Sequence, residues 1–151
     1  MKPRVRAILI TPHNTALFMK RVRPGHAPYW VFIGGGVEAS DPTLEAALQR
    51  EVREEIAGEA AIVGPFRQFQ NPAGEIEYFY LARIAHWNFT DRTGPEFTRT
   101  DRGEYLLEEI PLTTNAIAAI NLLPPQASQA LLHSLAHGHL KAPGEGPILE
   151  N

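Results

Sequence analysis

Hydrophobic residues come in short runs separated by polar or turn-forming residues, which is the rhythm of strands, and only two stretches carry the longer spacing of helices. Residues 5–10 and 15–22 are rich in Val, Ile, Leu and Phe, and Pro12-His13-Asn14 between them supplies turn residues, so two strands joined as a hairpin are predicted. A third run, Tyr29-Trp30-Val31-Phe32-Ile33, stops at Gly34-Gly35-Gly36 and reads as a strand ending in a special loop, where positive φ or close backbone approach is allowed. From Thr43 to about Ala57 there is neither Gly nor Pro, and Ala, Leu and Glu dominate. Asp41-Pro42 before it reads as a cap followed by a first-turn residue, so the clearest helix lies here. Strands are expected at 61–69, 76–85 and 103–110, the last two separated by a long polar loop through Asn88 and Gly103. Leu131, Leu132 and Leu135 mark a helical C-terminal third, and the Pro- and Gly-rich residues 142–151 are expected to form a flexible tail. No internal repeat is visible, and the pattern predicts an α/β fold, a mixed sheet covered by helices in a single domain over 1–141.

The central helix breaks its own pattern. At roughly 100° per residue with Leu44 at zero, Leu48 falls near 40°, Val52 near 80° and Ala47 near 300°, which defines an inward face. On the same wheel Glu51 falls near 340° and Glu55 near 20°, between the leucines, with Glu54 at the edge near 280°. Carboxylates turned toward the protein body need a cation or hydrogen bonds to offset their lost hydration. Arg50 can pair with Glu54 at i, i+4, but one guanidinium does not neutralise three clustered acids. A divalent metal does, and an all-oxygen donor set suits Mg²⁺ or Mn²⁺ better than zinc. A solvated Glu/Arg helix is the ordinary alternative, and the helix alone leaves both open. The glycine run and the acids Glu38 and Asp41 just upstream favour the metal, since a bare backbone carbonyl can face the same ion.

Composition narrows the chemistry. The 151 residues fit one domain, and the absence of cysteine excludes disulfides and thiolate metal sites. The net charge of -3, with 14 basic and 17 acidic residues intermixed, offers no basic stripe for a nucleic acid polymer, while a single-nucleotide ligand stays open. The apolar run after Arg4 is too short for a signal-peptide core or a membrane span, so a soluble, cytoplasmic protein is expected.

Gly34 to Glu55, GGGVEASDPTLEAALQREVREE, resembles the Nudix box: Gly, five residues, Glu, seven residues, Arg-Glu-aliphatic-any-Glu-Glu, then any residue, Gly and an aliphatic. Arg50-Glu51-Val52-Arg53-Glu54-Glu55 matches throughout. Counted from Gly35, Asp41 stands in place of Glu, and eight residues rather than seven precede Arg50. Ala57 occupies the expected Gly position, with Gly58 one place late, and Ile33 stands where many members have proline. The Tyr29-Trp30 lead-in and Gly94-Pro95-Glu96-Phe97 also look like family features.

The resemblance implies an α/β/α sandwich around a mixed sheet and hydrolysis of a phosphoanhydride in a nucleoside diphosphate linked to another group. Substrates of the nucleoside triphosphate, ADP-ribose or dinucleoside polyphosphate type follow from it. It implies Mg²⁺ on Glu51, Glu54 and Glu55, with the Gly34 carbonyl as a further ligand and Arg50 orienting Glu51. Glu51 and Glu54 are the first candidates for general base. Glu96 is chosen as the acid recruited from outside the box, with Glu104, Glu108 and Glu109 as rivals. Arg21 and Arg23 are placed to reach phosphate or a terminal group, with solvated strand-end charges as the alternative. Tyr29 and Trp30 are candidates to stack on a base, although strand alternation puts Trp30 in the core. His133 and His137 have metal-ligand spacing but lack a third ligand, and read as surface residues. A non-catalytic domain that senses a nucleotide is the second reading, and the intact glutamates count against it. A plain structural domain, which would leave the glycine and arginine-glutamate pattern to coincidence, ranks last. A homodimer is compatible with the sequence, which names no interface.

Overall fold

A computed structural model describes residues 2–91, 103–138 and 140. Strands β1 (Arg4–Ile10) and β2 (Thr15–Val22) form the expected hairpin, closed by the Thr11 N–H donating to the Thr15 carbonyl at 2.9 Å and by Asn14 at φ 59°. Next come β3 (Tyr29–Val31), β4 (Ile33–Gly36) and helix α1 (Leu44–Ile56). β5 (Ala60–Gln70), β6 (Ile76–Ile84) and β7 (Glu104–Pro111) match the predicted strands within a residue or so. The C-terminal third holds more than a helix: a short α2 (Thr114–Ala118), a two-residue β8 (Leu122–Leu123) and α3 (Pro125–Ala136). The tail from residue 142 and the segment with Glu96 lie outside the described residues.

The strands run in the order β5-β6-β1-β2-β3-β8, with β4 also on β1 and β7 also on β2. β1 with β6 and β3 with β8 are parallel and the other pairs antiparallel, so the sheet is mixed as predicted. Val5, Ala7 and Leu9 of β1 pack with Ala47, Leu48, Val52 and Ile56 of α1. Ile8 and Ile10 pack on the opposite face with Ile117 of α2 and Ala127 and Leu131 of α3. This alternation makes an α/β/α sandwich, because successive strand side chains point to opposite faces and each face needs a helix to cover it. Among the described residues no helix is long and apolar enough to cross a membrane.

Two expectations change. The run 29–33 is two strands, not one: Arg21 pairs with Tyr29 in β3, whereas Val5 pairs with Gly35 in β4, and Phe32 lies between. The glycines are therefore a strand laid against β1 rather than a loop, and their bareness serves close approach. Trp30 is half-buried and packs against the core cluster of Ile8, Phe18 and Phe32, the side that strand alternation assigned to it, and its Nε1 donates to Glu108 Oε1 at 2.9 Å, a partner the indole N–H requires.

The sheet also forks. β1 pairs with β2 only at Leu9–Leu17 and Ile10–Ala16; at its other end it takes β4, from Arg4 to Ala7, while β2 takes β3 from Met19 to Arg21. A gap opens between the branches, and it is lined by side chains from both.

Candidate active site

Helix α1 is started by Thr43, whose side chain accepts from the Ala46 N–H at 3.0 Å, and not by Asp41. Asp41 has another task. Arg50 Nε and Nη2 donate to Asp41 Oδ1 and Oδ2 at 2.9 and 2.8 Å, a bidentate pair whose carboxylate is only 6% exposed. These hydrogen bonds hold the Asp41 carboxyl down at about 2 against the opposing pull of burial, and they raise the Arg50 pKa. The Glu38 N–H donates to Asp41 Oδ2 at 2.7 Å, so the loop that is one residue longer than the box pattern folds back on itself and delivers Asp41 to the arginine.

Arg50 is the hub of the acidic helix. Besides Asp41 it lies 3.2 Å from Glu54, 3.4 Å from Glu51 and 3.8 Å from Glu38, and its Nη2 donates to the Gly36 carbonyl at 3.0 Å. The Arg50–Glu51 contact expected from the sequence is present, but the Asp41 pair is the shorter one. One cation thus faces four carboxylates, and Glu55 adds a fifth acid nearby, so the surplus of negative charge argued from the helical wheel persists in the folded chain.

Two acids reach the glycine strand. The Gly34 N–H donates to Glu55 Oε2 at 3.2 Å, and the Glu51 carboxylate, 12% exposed, lies so close to Gly35 that a β-carbon there would overlap it. A β-carbon on Gly34 would overlap the Val5 carbonyl oxygen, and φ is 154° there. The glycines are thus explained by what touches them: Gly34 by the neighbouring strand, Gly35 by the acid. Among the described residues no three His, Cys, Asp or Glu side chains stand as a ready-made metal cage. The fit to a divalent ion rests on donor chemistry: several carboxylates and a backbone carbonyl, all hard oxygen ligands, with negative charge to spare.

Gly34 and Glu55 also line a cleft of about 230 Å³ at the fork of the sheet. Arg4, Arg6 and Arg21 line it as well, with Tyr29 and Tyr105. Arg21 sits in register with Tyr29 on one side and Tyr105 on the other, and its guanidinium lies 3.8 Å from the centre of the Tyr105 ring. Arg6 is tied down by Glu77 at 3.2 Å and the Phe32 carbonyl at 3.0 Å.

Arg21 therefore lines the cleft, whereas Arg23, past the end of β2, is exposed and does not. Glu96 is outside the described residues. Its rivals are engaged elsewhere or solvated: Glu108 with Trp30 and Lys20, Glu109 with His13 and Thr15, while Glu104 is exposed at the start of β7. His133 on α3 and His137 just past its end are exposed, their tilted rings 4.1 Å apart. Sequence reasoning missed Arg4, Arg6 and Tyr105. The alternation Arg4-Val5-Arg6 places two arginines on one strand face and is a legible signal, while Tyr105 needed the register of β7 on β2.

A family model described as the NUDIX domain matches residues 1–131. No curated protein sequence matches the chain. Among solved structures, the MutT described from Aliivibrio salmonicida and Vibrio cholerae is 19% identical, with a TM-score of 0.58 over 91% of this chain and 98% of that one. A NUDIX-family hydrolase from Clostridium perfringens is 14% identical, with a TM-score of 0.62 over 86% and 95%. A protein described as UDP-X diphosphatase is 15% identical, with a TM-score of 0.62 over 93% of this chain and 64% of that one.

Proposed function

The chain belongs to the NUDIX family, and we propose that it hydrolyses a phosphoanhydride bond in a nucleoside diphosphate linked to another group, with Mg²⁺ or Mn²⁺ as cofactor. The observation that carries this reading is the shared position of Glu55 and Gly34, which belong both to the acidic box and to the wall of the arginine- and tyrosine-lined cleft. A site for cation and a site for anionic substrate thus adjoin.

Glu51, Glu54 and Glu55, with the Gly34 carbonyl, would hold the ion. When bound, it would neutralise phosphoryl charge and lower the pKa of water. The chain's own residues do the rest. Glu51 or Glu54 takes the proton of the attacking water, whose oxygen bonds to phosphorus as the bridging oxygen departs with the other half of the substrate. Arg50 positions these acids through the contacts at 3.4 and 3.2 Å and is itself positioned by Asp41. Arg21, braced on Tyr105, presents a cation to the substrate from the opposite wall.

The test is turnover of a panel of nucleoside triphosphates, nucleoside diphosphate sugars, ADP-ribose and dinucleoside polyphosphates, with and without Mg²⁺, comparing the parent with Glu54→Gln. The description of one structural neighbour as a UDP-X diphosphatase supports including the uridine compounds. Mg²⁺-dependent release of product that Glu54→Gln lowers by two or more orders of magnitude, in the range expected of a general base, is the expected result. Tight nucleotide binding without any turnover would replace the hydrolase with a sensor.

A further inference from the structure

We infer that the cleft is built to receive a further anionic group on the substrate, beyond the diphosphate that is cleaved, and that Arg4 is the residue that reads it. The inference rests on the hydrolase reading for the position of the diphosphate at the Glu55 end of the cleft. Three guanidiniums line that cleft, and they differ in what already occupies them. Arg6 is spoken for by Glu77 and the Phe32 carbonyl. Arg21 lies against the Tyr105 ring, which fixes its plane. Arg4 is half-buried in the cleft wall, and none of the ion pairs among the described residues includes it. Its Nη1 is 3.8 Å from where a β-carbon of Gly36 would stand, so it lies over the end of the glycine strand whose carbonyl Arg50 holds.

A cation brought into a cleft with no carboxylate in ion-pair contact loses hydration with little in return, unless a ligand supplies the anion. With an ion held by the box glutamates, the diphosphate would be met at the acidic end and by Arg21 across the cleft. What Arg4 adds is recognition of one more set of anionic oxygens, which a terminal phosphate or a carboxylate on the attached group would provide. A nucleoside diphosphate linked to a neutral group leaves Arg4 with only water.

The test is binding, measured by calorimetry in Mg²⁺ with the P–O–P bridge replaced by P–CH₂–P so that no turnover is needed. Uridine diphosphate glucose and uridine diphosphate glucuronate form a pair that differs by one carboxylate, and an α,β-methylene nucleoside triphosphate supplies the terminal phosphate. The parent should bind the glucuronate or the triphosphate analogue at least about tenfold more tightly than the glucose analogue, equal to about 1.4 kcal/mol. Whichever is preferred identifies carboxylate or phosphate as the group read. In Arg4→Gln the ratio should fall to about one, with Arg4→Lys keeping part of it. Arg53→Gln, which removes the same charge from an exposed site paired with Glu59, should keep the ratio of the parent. Equal thermal melting of Arg4→Gln and the parent shows that the fold is intact. A parent without the preference, a preference that survives Arg4→Gln, or no binding of any analogue overturns the inference. Absence of Mg²⁺-dependent turnover on the natural compounds overturns the hydrolase reading instead, and the binding ratio stands or falls separately.

Discussion

Arg50 grips Asp41 through both carboxylate oxygens, at 2.9 and 2.8 Å, and so fastens the loop after the glycine strand to the acidic helix. The same guanidinium holds the Gly36 carbonyl, which makes the pair a joint between β4, the loop and α1. Removing the carboxylate leaves an arginine that is only 20% exposed without its best partner. Asp41→Ala should therefore cost roughly 1.5–3 kcal/mol, the range for hydrogen bonds to charged groups, read from urea unfolding midpoints. An unchanged midpoint would remove Asp41 from this role.

The pair also sets a pH dependence. The Asp41 carboxyl falls on folding from an ordinary value of 3.8 to about 2, so the folded state holds fewer protons in that range. The stability it contributes is whole above the unfolded pKa and is lost as pH drops from about 4 toward about 2. The stability gap between the parent and Asp41→Ala should be constant at neutral pH and narrow below about 4. A gap that does not change between pH 6 and pH 2.5 would show that the interaction does not depend on the carboxylate.

The two glycines against β1 should separate fold from function. On Gly34 a β-carbon meets the Val5 backbone, which does not move without parting the strands, so Gly34→Ala should unfold the protein or sharply lower its melting temperature. On Gly35 the nearest atoms a β-carbon meets are those of the Glu51 carboxylate, the end of a flexible side chain that can swing aside. Gly35→Ala should keep most of the stability while displacing Glu51, with loss of Mg²⁺-dependent turnover, and full activity in a folded Gly35→Ala would show that Glu51 need not sit there.

Most of this architecture was legible in the chain. The hairpin, the acidic helix and strands β5 to β7 follow from periodicity, because each has one face or both buried and its residues say so. Of the face that the helical wheel assigns, Ala47, Leu48 and Val52 are buried and Leu44 is half-buried at the first turn, and Ile56 extends the buried face by a further turn. What periodicity does not encode is pairing. Tyr29 to Ile33 reads as one strand because every residue in it favours strands, and only the partition between β2 and β1 splits it. The cleft was hidden for the same reason: Arg4, Arg21 and Tyr105 are far apart in sequence, and only the pairing of β7 with β2 and the fork of the sheet bring them to one cleft. Asp41 looked like a cap because Asp favours that position, and the tertiary partner Arg50 outweighed that local preference.

Ala57 closes α1 in the left-handed region, at φ 49°, where the box pattern has glycine. Its N–H bonds to the Arg53 carbonyl, so the conformation is imposed by the helix end rather than chosen by the residue. Ala57→Gly relieves the strain of a β-carbon there, offset in part by the freer unfolded chain. A net gain of about 0.5–1 kcal/mol is expected, visible as a rise in melting temperature of a few degrees. A fall would mean that the Ala57 methyl makes packing contacts worth more than the strain.

Tyr105 faces Arg21 across the β2–β7 pair, with the guanidinium 3.8 Å from its ring centre. The ring offers the cation a negative face and, being packed in the sheet, gives it a fixed direction into the cleft. Tyr105→Leu keeps apolar bulk and removes that direction, so substrate binding should weaken by about the worth of a cation–π contact, roughly 0.5–2 kcal/mol. KM should rise by a factor in the range of about 2–30 with kcat changed less, because the proposed role of Arg21 is to hold substrate and not to act on the reacting water. Tyr105→Phe, which retains the ring, should behave like the parent. If Phe fails as badly as Leu, the phenol oxygen rather than the ring face is what the site uses, and the brace on Arg21 is not the reason Tyr105 is there.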